Sequence, residues 1–312
     1  MQLRAASLVL ALGAAWTSAC GGQAPGDERP GAVVPATVTD VRRYQLNARG
    51  VTGLSDLALD PDGRIWAVAE RIRVALRIDR PGAAPVALAL VGVPENVDVE
   101  GMAWLDRERV ALATEADEGA RTSDALLIGR LAEGRIEVVE RRDLDYSIWP
   151  LDPLGNQGME GLCRAGSHLV AAVETVIANP EERFAPIGLH DLATSRWTPL
   201  LLRLTTRTGK ISALACKLRR DRSIDVLAIE RHFEVARLIR FRIPHDPRPR
   251  VPLEPVVVAD LDPAMIHQEN FEGLLWDGAS SFSLVVDNDW THISGPNLLI
   301  TARLHGPLPA PR

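Results

Sequence analysis

Residues 53–59, GLSDLAL, begin a motif that returns four times along the chain, and this repetition decides the fold. The other copies are DVEGMAW at 98–104, GMEGLCR at 158–164, KISALAC at 210–216 and NFEGLLW at 270–276. Each copy has Ser or Glu third and Leu or Met two places later. A turn and an apolar run follow, and the run ends in an acid 14 to 18 residues beyond that Ser or Glu. Five copies with so similar an offset are typical of a repeat architecture.

Each repeat has the pattern of a β-hairpin followed by two further strands. In the first repeat the turn Asp60-Pro61-Asp62-Gly63 separates two β-rich runs, and its Pro and Gly supply the dihedral angles of a tight turn. Third and fourth runs follow, such as VALRID at 74–79 and VALALV at 86–91. Four antiparallel strands per repeat make a propeller blade. The sequence therefore predicts an all-β fold, a β-propeller of five four-stranded blades.

The fifth repeat ends after its third strand, NLLITARL at 297–304, and leaves its blade one strand short. The segment VTDVRRYQL at 38–46 can supply the missing strand from the other end of the chain. Such closure removes exposed sheet edges, which invite aggregation. We therefore expect residues 38–312 to form one propeller closed by its N-terminal strand. A propeller with a sixth, degenerate blade is the alternative.

The N-terminus has the pattern of a lipoprotein signal. Arg4 precedes an apolar run at 5–15, and Thr17-Ser18-Ala19-Cys20 resembles a lipobox. An apolar run this short indicates a cleaved signal peptide, here 1–19, with acylation at Cys20. Residues 20–37 are rich in Gly, Pro and Ala, which predicts a flexible tether. We expect export and a lipid anchor in the cell envelope, on the periplasmic side of the outer membrane, as the only membrane attachment.

Composition narrows the class of partner. The chain has 312 residues and a net charge of −6 without a basic motif, so we expect no binding to nucleic acid. The expected partner is a small molecule, phosphorylated or not, and the expected state is a monomer. Cys163 and Cys216 could pair in an exported protein, but two buried free thiols are the interpretation that we favour.

Propeller geometry places ten polar side chains at one mouth of the central channel. The first strand of each blade lines the channel and the second runs antiparallel beside it, so the start of one and the end of the other share a face. The predicted inner ring is Ser55, Glu100, Glu160, Ser212 and Glu272. The predicted second shell is Glu70, Glu115, Glu174, Glu230 and Asp287.

The predicted ring is a set of oxygen ligands without Cys or His. Crowded carboxylates either take up protons or bind a cation. Hard oxygen donors suit calcium, and magnesium or manganese less well, and they argue against zinc or copper. A glycine follows each ring glutamate (Gly101, Gly161 and Gly273), as close backbone approach at an axis requires. The alternative for any single glutamate is an ion pair with a nearby basic residue.

Several of these segments carry a family resemblance. LSDLALDPDGRIWAVAER, DVEGMAW with TEADEG, NQGMEGLC with VET, LAIERHF, and NFEGLLW with VVDNDW resemble the bacterial family named for a phytase-like domain with esterase-like activity. The match extends over roughly 50–304. The order Ser, Glu, Glu, Ser, Glu is also similar to the inner ring of calcium-activated nucleotidases, which are five-bladed propellers with an axial calcium. The basic residues that surround the nucleotidases' phosphates are not recognisable here.

Two functions remain open at this point. In the first, the protein is a calcium-dependent phosphoester or ester hydrolase in which the second-shell carboxylates act as bases. Its further candidates are His232 as general acid, Arg71 and Arg231 as anion clamps, and Asp289 and Trp290 as substrate contacts. For the two arginines, ion pairs with neighbouring acids are the alternative, and for His232 the alternative is an ordinary loop histidine. In the second function the calcium is structural and the mouth binds a ligand without chemistry. No GxSxG, Walker or HExxH motif occurs.

Overall fold

A computed structural model describes residues 35–116, 121–149, 151, 157–232, 235–249, 251–261, 270–288, 295–306 and 308–311. These residues form 21 strands and one short 3-10 helix, Tyr146–Ile148. Within the described ranges no helix is long and apolar enough to cross a membrane. Residues 1–34, with the predicted signal peptide, Cys20 and most of the tether, lie outside them, so the lipoprotein assignment stays a prediction.

The strands group into five antiparallel sets of four, here called blades 1 to 5 after the five repeats. The chain starts with β1 (Thr37–Gln45). Blade 1 contains β2 (Leu54–Leu59), β3 (Ile65–Ala69), β4 (Val74–Ile78) and β5 (Val86–Val91). Blade 2 contains β6 (Val97–Trp104), β7 (Arg109–Ala116), β8 (Ser123–Ala132) and β9 (Arg135–Asp145).

The remaining strands follow the same plan. Blade 3 contains β10 (Met159–Ala165), β11 (His168–Val173), β13 (Arg183–Asp191) and β14 (Arg196–Arg203), with the two-residue β12 (Ile177–Ala178) beside β13. Blade 4 contains β15 (Lys210–Leu218), β16 (Ile224–His232), β17 (Val235–Ile243) and β18 (Val256–Asp260). Blade 5 contains β19 (Asn270–Leu275), β20 (Ser281–Asp287), β21 (Leu298–His305) and β1.

The N-terminal strand completes blade 5, as the sequence predicted. β1 runs antiparallel to β21, from Thr37 opposite His305 to Gln45 opposite Leu298. The innermost strands then pack side by side in a closed ring: β2 on β6, β6 on β10, β10 on β15, β15 on β19, and β19 on β2. The all-β propeller prediction is confirmed.

Burial explains why inner and outer strands differ in sequence. β3, IWAVA, is buried at every position because neighbouring blades cover both of its faces. β5, VALALV, alternates between exposed and buried residues because it has one solvated face. The apolar core is divided into five clusters between adjacent blades. Trp66 of blade 1 packs on Trp104 of blade 2, with ring centroids 4.9 Å apart, so these tryptophans fill the space between the two blades.

Each innermost strand has a β-bulge at the same place in the repeat. In blade 1, Leu54 pairs with Ala69 and Asp56 pairs with Val68, which leaves Ser55 as the extra residue. A bulge turns the extra side chain away from the regular alternation. The other blades shift register between Val99 and Gly101, Met159 and Leu162, Ile211 and Ala213, and Phe271 and Gly273. These intervals contain the predicted ring residues Glu100, Glu160, Ser212 and Glu272.

Cys163 and Cys216 form a disulfide, so the expectation of two free thiols was wrong. Their Cα atoms lie 5.6 Å apart, within the range that a disulfide spans. Cys163 is three residues beyond the ring position of repeat 3, and Cys216 is four beyond that of repeat 4. Ala58 and Trp104 hold the same two positions in blades 1 and 2 and share a core cluster. The disulfide therefore replaces an apolar contact between neighbouring inner strands.

The closure of blade 5 can be tested by removing residues 38–46. The deletion exposes the edge of β21 and the core that Val38 and Leu46 cover. We expect a loss on the order of several kcal/mol in the free energy of unfolding, measured by chemical denaturation. Deleting nine residues of the predicted tether, 22–30, is the matched control and should leave stability unchanged. Equal stability of the two deletion variants would show that β1 does not hold the ring closed.

Candidate functional site

The bulges bring the predicted ring to one mouth of the channel, here called the acidic mouth. Glu100, Glu160 and Glu272 are each 8% exposed. The two ring serines are almost fully buried and bridge adjacent blades: the hydroxyl of Ser55 donates to the carbonyl of Val99 at 2.6 Å, and that of Ser212 donates to the carbonyl of Phe271 at 2.9 Å. Both hydroxyl protons are thus used in inter-blade hydrogen bonds.

The carboxylates of the acidic mouth form two clusters, each with one ring glutamate. The first joins Glu100 to Glu70 and Asp98, and the second joins Glu160 to Glu115 and Glu174. In each cluster the three residues can bring one oxygen each within 4.8 Å of the others. The second-strand acid of one blade thereby meets the ring glutamate of the next blade. Neither cluster contains two of the ring glutamates Glu100, Glu160 and Glu272.

Burial and mutual repulsion make these carboxyl groups hard to ionise. Burial raises the pKa of Glu100 well above its ordinary value, and the charges of Glu160, Glu70 and Glu115 raise it further. The pKa of Glu70 rises to about 8, chiefly through burial, although the adjacent Arg71 opposes the rise. Burial and the charge of Glu160 raise the pKa of Glu115 to about 8.

Glu160 is at the centre of this charge system. Burial, followed by the charge of Glu272, raises its pKa to about 7, while Lys210 and Arg231 oppose the rise. The mouth therefore contains several carboxyl groups whose protons are held near neutral pH. A cation bound among them would favour their ionised forms and release those protons.

The basic residues of the mouth are engaged in ion pairs. Arg71 lies 2.9 Å from Glu70 and 3.6 Å from Asp98. Lys210 pairs with Glu174. Arg231 pairs with Glu272. The two arginines proposed as anion clamps therefore contact acids, which matches the alternative interpretation from the sequence.

Glu272 and Asp287 meet on blade 5. The amide of Asn270 donates to Glu272 at 2.8 Å and to Asp287 at 2.9 Å, which holds the two carboxylates side by side. The Oε1 atom of Glu272 accepts from Arg231, but its Oε2 atom is buried and has no hydrogen-bond partner among the described residues. A buried carboxylate oxygen without a donor is costly unless an ion or water meets it.

Glu230 differs from the other second-shell acids. It is fully buried and accepts hydrogen bonds from the backbone N–H and hydroxyl groups of Thr205 and Thr206, at 2.6 to 3.1 Å. These donors come from the turn that leads from blade 3 into blade 4. The structure gives Glu230 the role of holding this turn, without the solvent access that a catalytic base needs.

Asp56, directly after the ring position of blade 1, was not singled out from the sequence. Its carboxylate is completely buried and accepts from the N–H of its neighbour Leu57 and from that of Met102 in blade 2, both at 2.7 Å. The N–H groups of Leu162 in blade 3 and Leu274 in blade 5 also face it, although burial outweighs all four and raises its pKa. Because blade 3 is not adjacent to blade 1, this side chain must reach across the axis.

Small residues at the equivalent positions make room for Asp56. The other repeats have Gly101, Gly161, Ala213 and Gly273 there. A Cβ atom on Gly273 would lie 2.7 Å from the carbonyl carbon of Asp56, and one on Gly161 would lie 2.9 Å from the nitrogen of Leu214. These approaches confirm the predicted close packing of backbone at the axis. The sequence shows this feature at the position directly after each ring residue, where one repeat has an acid and the other four have Gly or Ala.

The remaining predicted site residues lie at the edge of the described region. His232 is the last residue of β16, half-buried at the same mouth. Asp289 and Trp290 lie outside the described residues, so their predicted substrate contacts stay predictions.

The mouth fits a hard cation. Both clusters offer only oxygen donors, and oxygens up to 4.8 Å apart can share one ion, because calcium binds oxygens at about 2.3–2.6 Å. The unpartnered Oε2 atom of Glu272 marks a further acceptor at the same mouth. Cys and His are absent from both clusters, which disfavours a soft metal.

A family model described as "Phytase-like: Esterase-like activity of phytase" matches residues 49–290. The chain belongs to this phytase-like family. The match spans four of the five blades completely and the inner hairpin of blade 5, so it includes every residue of the two acidic clusters. A search of curated proteins gave no match.

Solved structures similar to this phytase-like protein come from several enzymes. One is the PQQ-bound aldose sugar dehydrogenase of Streptomyces coelicolor, with 11% identity, a TM-score of 0.49, and 87% of this chain and 99% of that chain covered. Another is virginiamycin B lyase of Staphylococcus aureus, with 10% identity, a TM-score of 0.42, and coverage of 85% and 99%. At this level of similarity neither supports a conclusion about substrate or chemistry.

The raised carboxyl pKa values predict how stability depends on pH. A carboxyl whose pKa is higher in the folded protein contributes stability below its unfolded value, and this contribution is lost as pH rises through the folded value. In EDTA we expect the melting temperature to fall by several degrees between about pH 5 and about pH 8, the interval set by Glu160, Glu70 and Glu115. Calcium should reduce this fall. A melting temperature in EDTA that rises over this interval would contradict the assignment.

Proposed function

We propose that this phytase-like protein is a calcium-dependent phosphoester or ester hydrolase of the cell envelope, with its active site at the acidic mouth. The observation that carries the proposal is the concentration of carboxylates there. The two clusters together contain six carboxylates, and Glu272 and Asp287 add two more. The described basic residues paired with them are fewer, namely Arg71, Arg121, Lys210 and Arg231. One structural ion needs fewer acids than this.

Burial indicates which glutamates bind the metal and which transfer protons. Glu100, Glu160 and Glu115 are buried, whereas Glu70 and Glu174 are half-buried. We therefore assign the deeper group to metal binding, and the outer pair to the proton transfer that activates water. A pKa near 8 suits Glu70 as a proton acceptor close to neutral pH. A bound calcium would polarise the phosphoryl or carbonyl oxygen of the substrate and favour ionisation of a bound water.

A second candidate is a binding propeller whose calcium is structural. The observation in its favour is that Arg71 and Arg231 both contact acids, so neither is set aside for a phosphate. In the hydrolase, a metal ion that binds these carboxylates would free the two guanidinium groups to contact a substrate. The two candidate functions differ in whether the protein turns over a substrate when calcium is bound.

Export and lipid anchoring at Cys20 belong to the same proposal and rest on the N-terminal sequence. Radiolabelled palmitate incorporated into the wild type but not into Cys20→Ala would support them. Equal detergent partitioning of wild type and this variant would contradict acylation at Cys20.

Glu160→Gln is the most direct variant for the site. It retains the shape of the side chain but removes one ligand charge from the second cluster. We expect at least tenfold weaker calcium affinity, a smaller calcium-induced rise in melting temperature, and a similar loss of any calcium-dependent hydrolysis. The substrates to test are phosphomonoesters, nucleotides, phytate and simple esters, each with calcium or EDTA.

Glu181→Gln is the matched control, because Glu181 is exposed on the turn before β13 and belongs to neither cluster. It should behave as wild type in all three measurements. Hydrolysis that persists in EDTA, or equal calcium responses of the Glu160 and Glu181 variants, would contradict the metal-dependent hydrolase. Calcium binding without turnover of any substrate would favour the binding propeller.

A further inference from the structure

A basic pocket lies on the face of the propeller opposite the acidic mouth. It is a concavity of about 660 Å³ between the hairpin turn of blade 4, the hairpin turn of blade 5 and Leu308. Its charged lining consists of Lys217, Arg219, Arg220, Arg240, Asp221 and Asp225. Cationic groups exceed acids by two in this lining, in a chain whose net charge is −6.

Asp225 organises the arginines of this pocket. Its carboxylate is 4% exposed and accepts from Arg219 at 2.8 Å, Arg240 at 2.5 Å and Arg242 at 2.9 Å. Burial alone would raise its pKa, but the three guanidinium groups outweigh burial and lower it. One acid that holds three arginines leaves a net positive charge, with N–H donors remaining on each guanidinium group.

Apolar groups lie beside these charges. Leu218 lines the pocket and is 51% exposed. The ammonium of Lys217 lies 4.0 Å from the ring centroid of Trp276, which also lines the pocket. Basic side chains next to an exposed leucine and a tryptophan are typical of surfaces that meet lipid headgroups.

The chain enters the domain on this same face. Thr37, at the start of β1, pairs with His305, at the end of β21, on the side of the hairpin turns. Just before it, the N–H of Ala36 donates to the carbonyl of Val258 in blade 4 at 2.7 Å. Fifteen residues, 21–35, separate Ala36 from Cys20. A random coil of fifteen residues has an end-to-end distance of about 20 Å, so the proposed anchor at Cys20 would place this face close to the membrane.

We propose that this basic pocket binds the phosphate of anionic phospholipid headgroups, and that it orients the propeller with the acidic mouth away from the membrane. The pocket supplies cations and an exposed leucine to the lipid surface. The acidic mouth, at the other end of the channel, avoids repulsion by the same surface. This proposal does not depend on hydrolase activity.

The test uses the mature chain, residues 20–312, produced without an acyl group, in sedimentation with phosphatidylcholine vesicles that contain or lack phosphatidylglycerol. We expect binding that requires phosphatidylglycerol and weakens with salt. The double variant Arg219→Gln/Arg220→Gln should bind at least roughly tenfold more weakly. The matched control is Arg107→Gln/Arg109→Gln, which removes the same charge from the hairpin turn of blade 2 on the same face, where both arginines pair with acids.

Retained binding by the control together with loss by the Arg219/Arg220 variant, at unchanged melting temperatures, supports the proposal. Equal binding to neutral vesicles, equal loss in both variants, or no binding overturns it. Calorimetry with inorganic phosphate and glycerol phosphate tests for a soluble ligand. Saturable binding of either by a protein that does not bind the vesicles would also overturn the lipid assignment.

Discussion

The structure depends on how closely five inner strands approach one axis. Four of the five inner strands have a small residue at the position after the bulge: Gly101, Gly161, Ala213 and Gly273. The inner strand of blade 1, β2, has Asp56 there, and its carboxylate reaches across the axis. That carboxylate accepts from a backbone N–H group of blade 2 and faces those of blades 3 and 5. Because backbone and Asp56 fill the axis at this level, the ring residues one step above it share a confined mouth.

Because the mouth is confined, its repeated acids form a candidate cation site. Eight carboxylates at one mouth, several of them nearly excluded from water, have too few basic partners to be neutralised by ion pairs alone. The protein must therefore either hold protons there or bind a cation. Under the proposed function, calcium-dependent stability and calcium-dependent hydrolysis would both follow from that single electrostatic requirement.

Repetition made most of the fold predictable. The strand order, the closing role of β1 and the position of the ring follow from a motif that recurs with a nearly constant offset. The bulges could not be predicted, because register is a property of strand pairing and does not show in one strand alone. They matter because they turn the side chains of Glu100 and Glu160 toward the mouth instead of along the regular alternation.

Other features were present in the sequence as departures from the repeat. Glu230 follows its ring residue by 18 residues instead of 14 or 15, since the hairpin of β15 and β16 is longer, and the turn at Thr205 and Thr206 holds its carboxylate. The pairing of Cys163 with Cys216 follows from their repeat positions, three and four beyond the ring, which face each other between blades. The split of the acids into two clusters had no such signal, because it depends on side-chain reach across blade boundaries.

The central claim is that the acidic mouth exchanges protons for calcium. The most direct measurement is calorimetric titration of residues 20–312 with calcium at neutral pH, in two buffers that differ in ionisation enthalpy. The apparent enthalpies should differ in the sense of proton release, because Glu70, Glu115 and Glu160 hold protons near neutral pH until a cation favours their ionised forms. Calcium binding with no release of protons, or no calcium binding, would contradict the account.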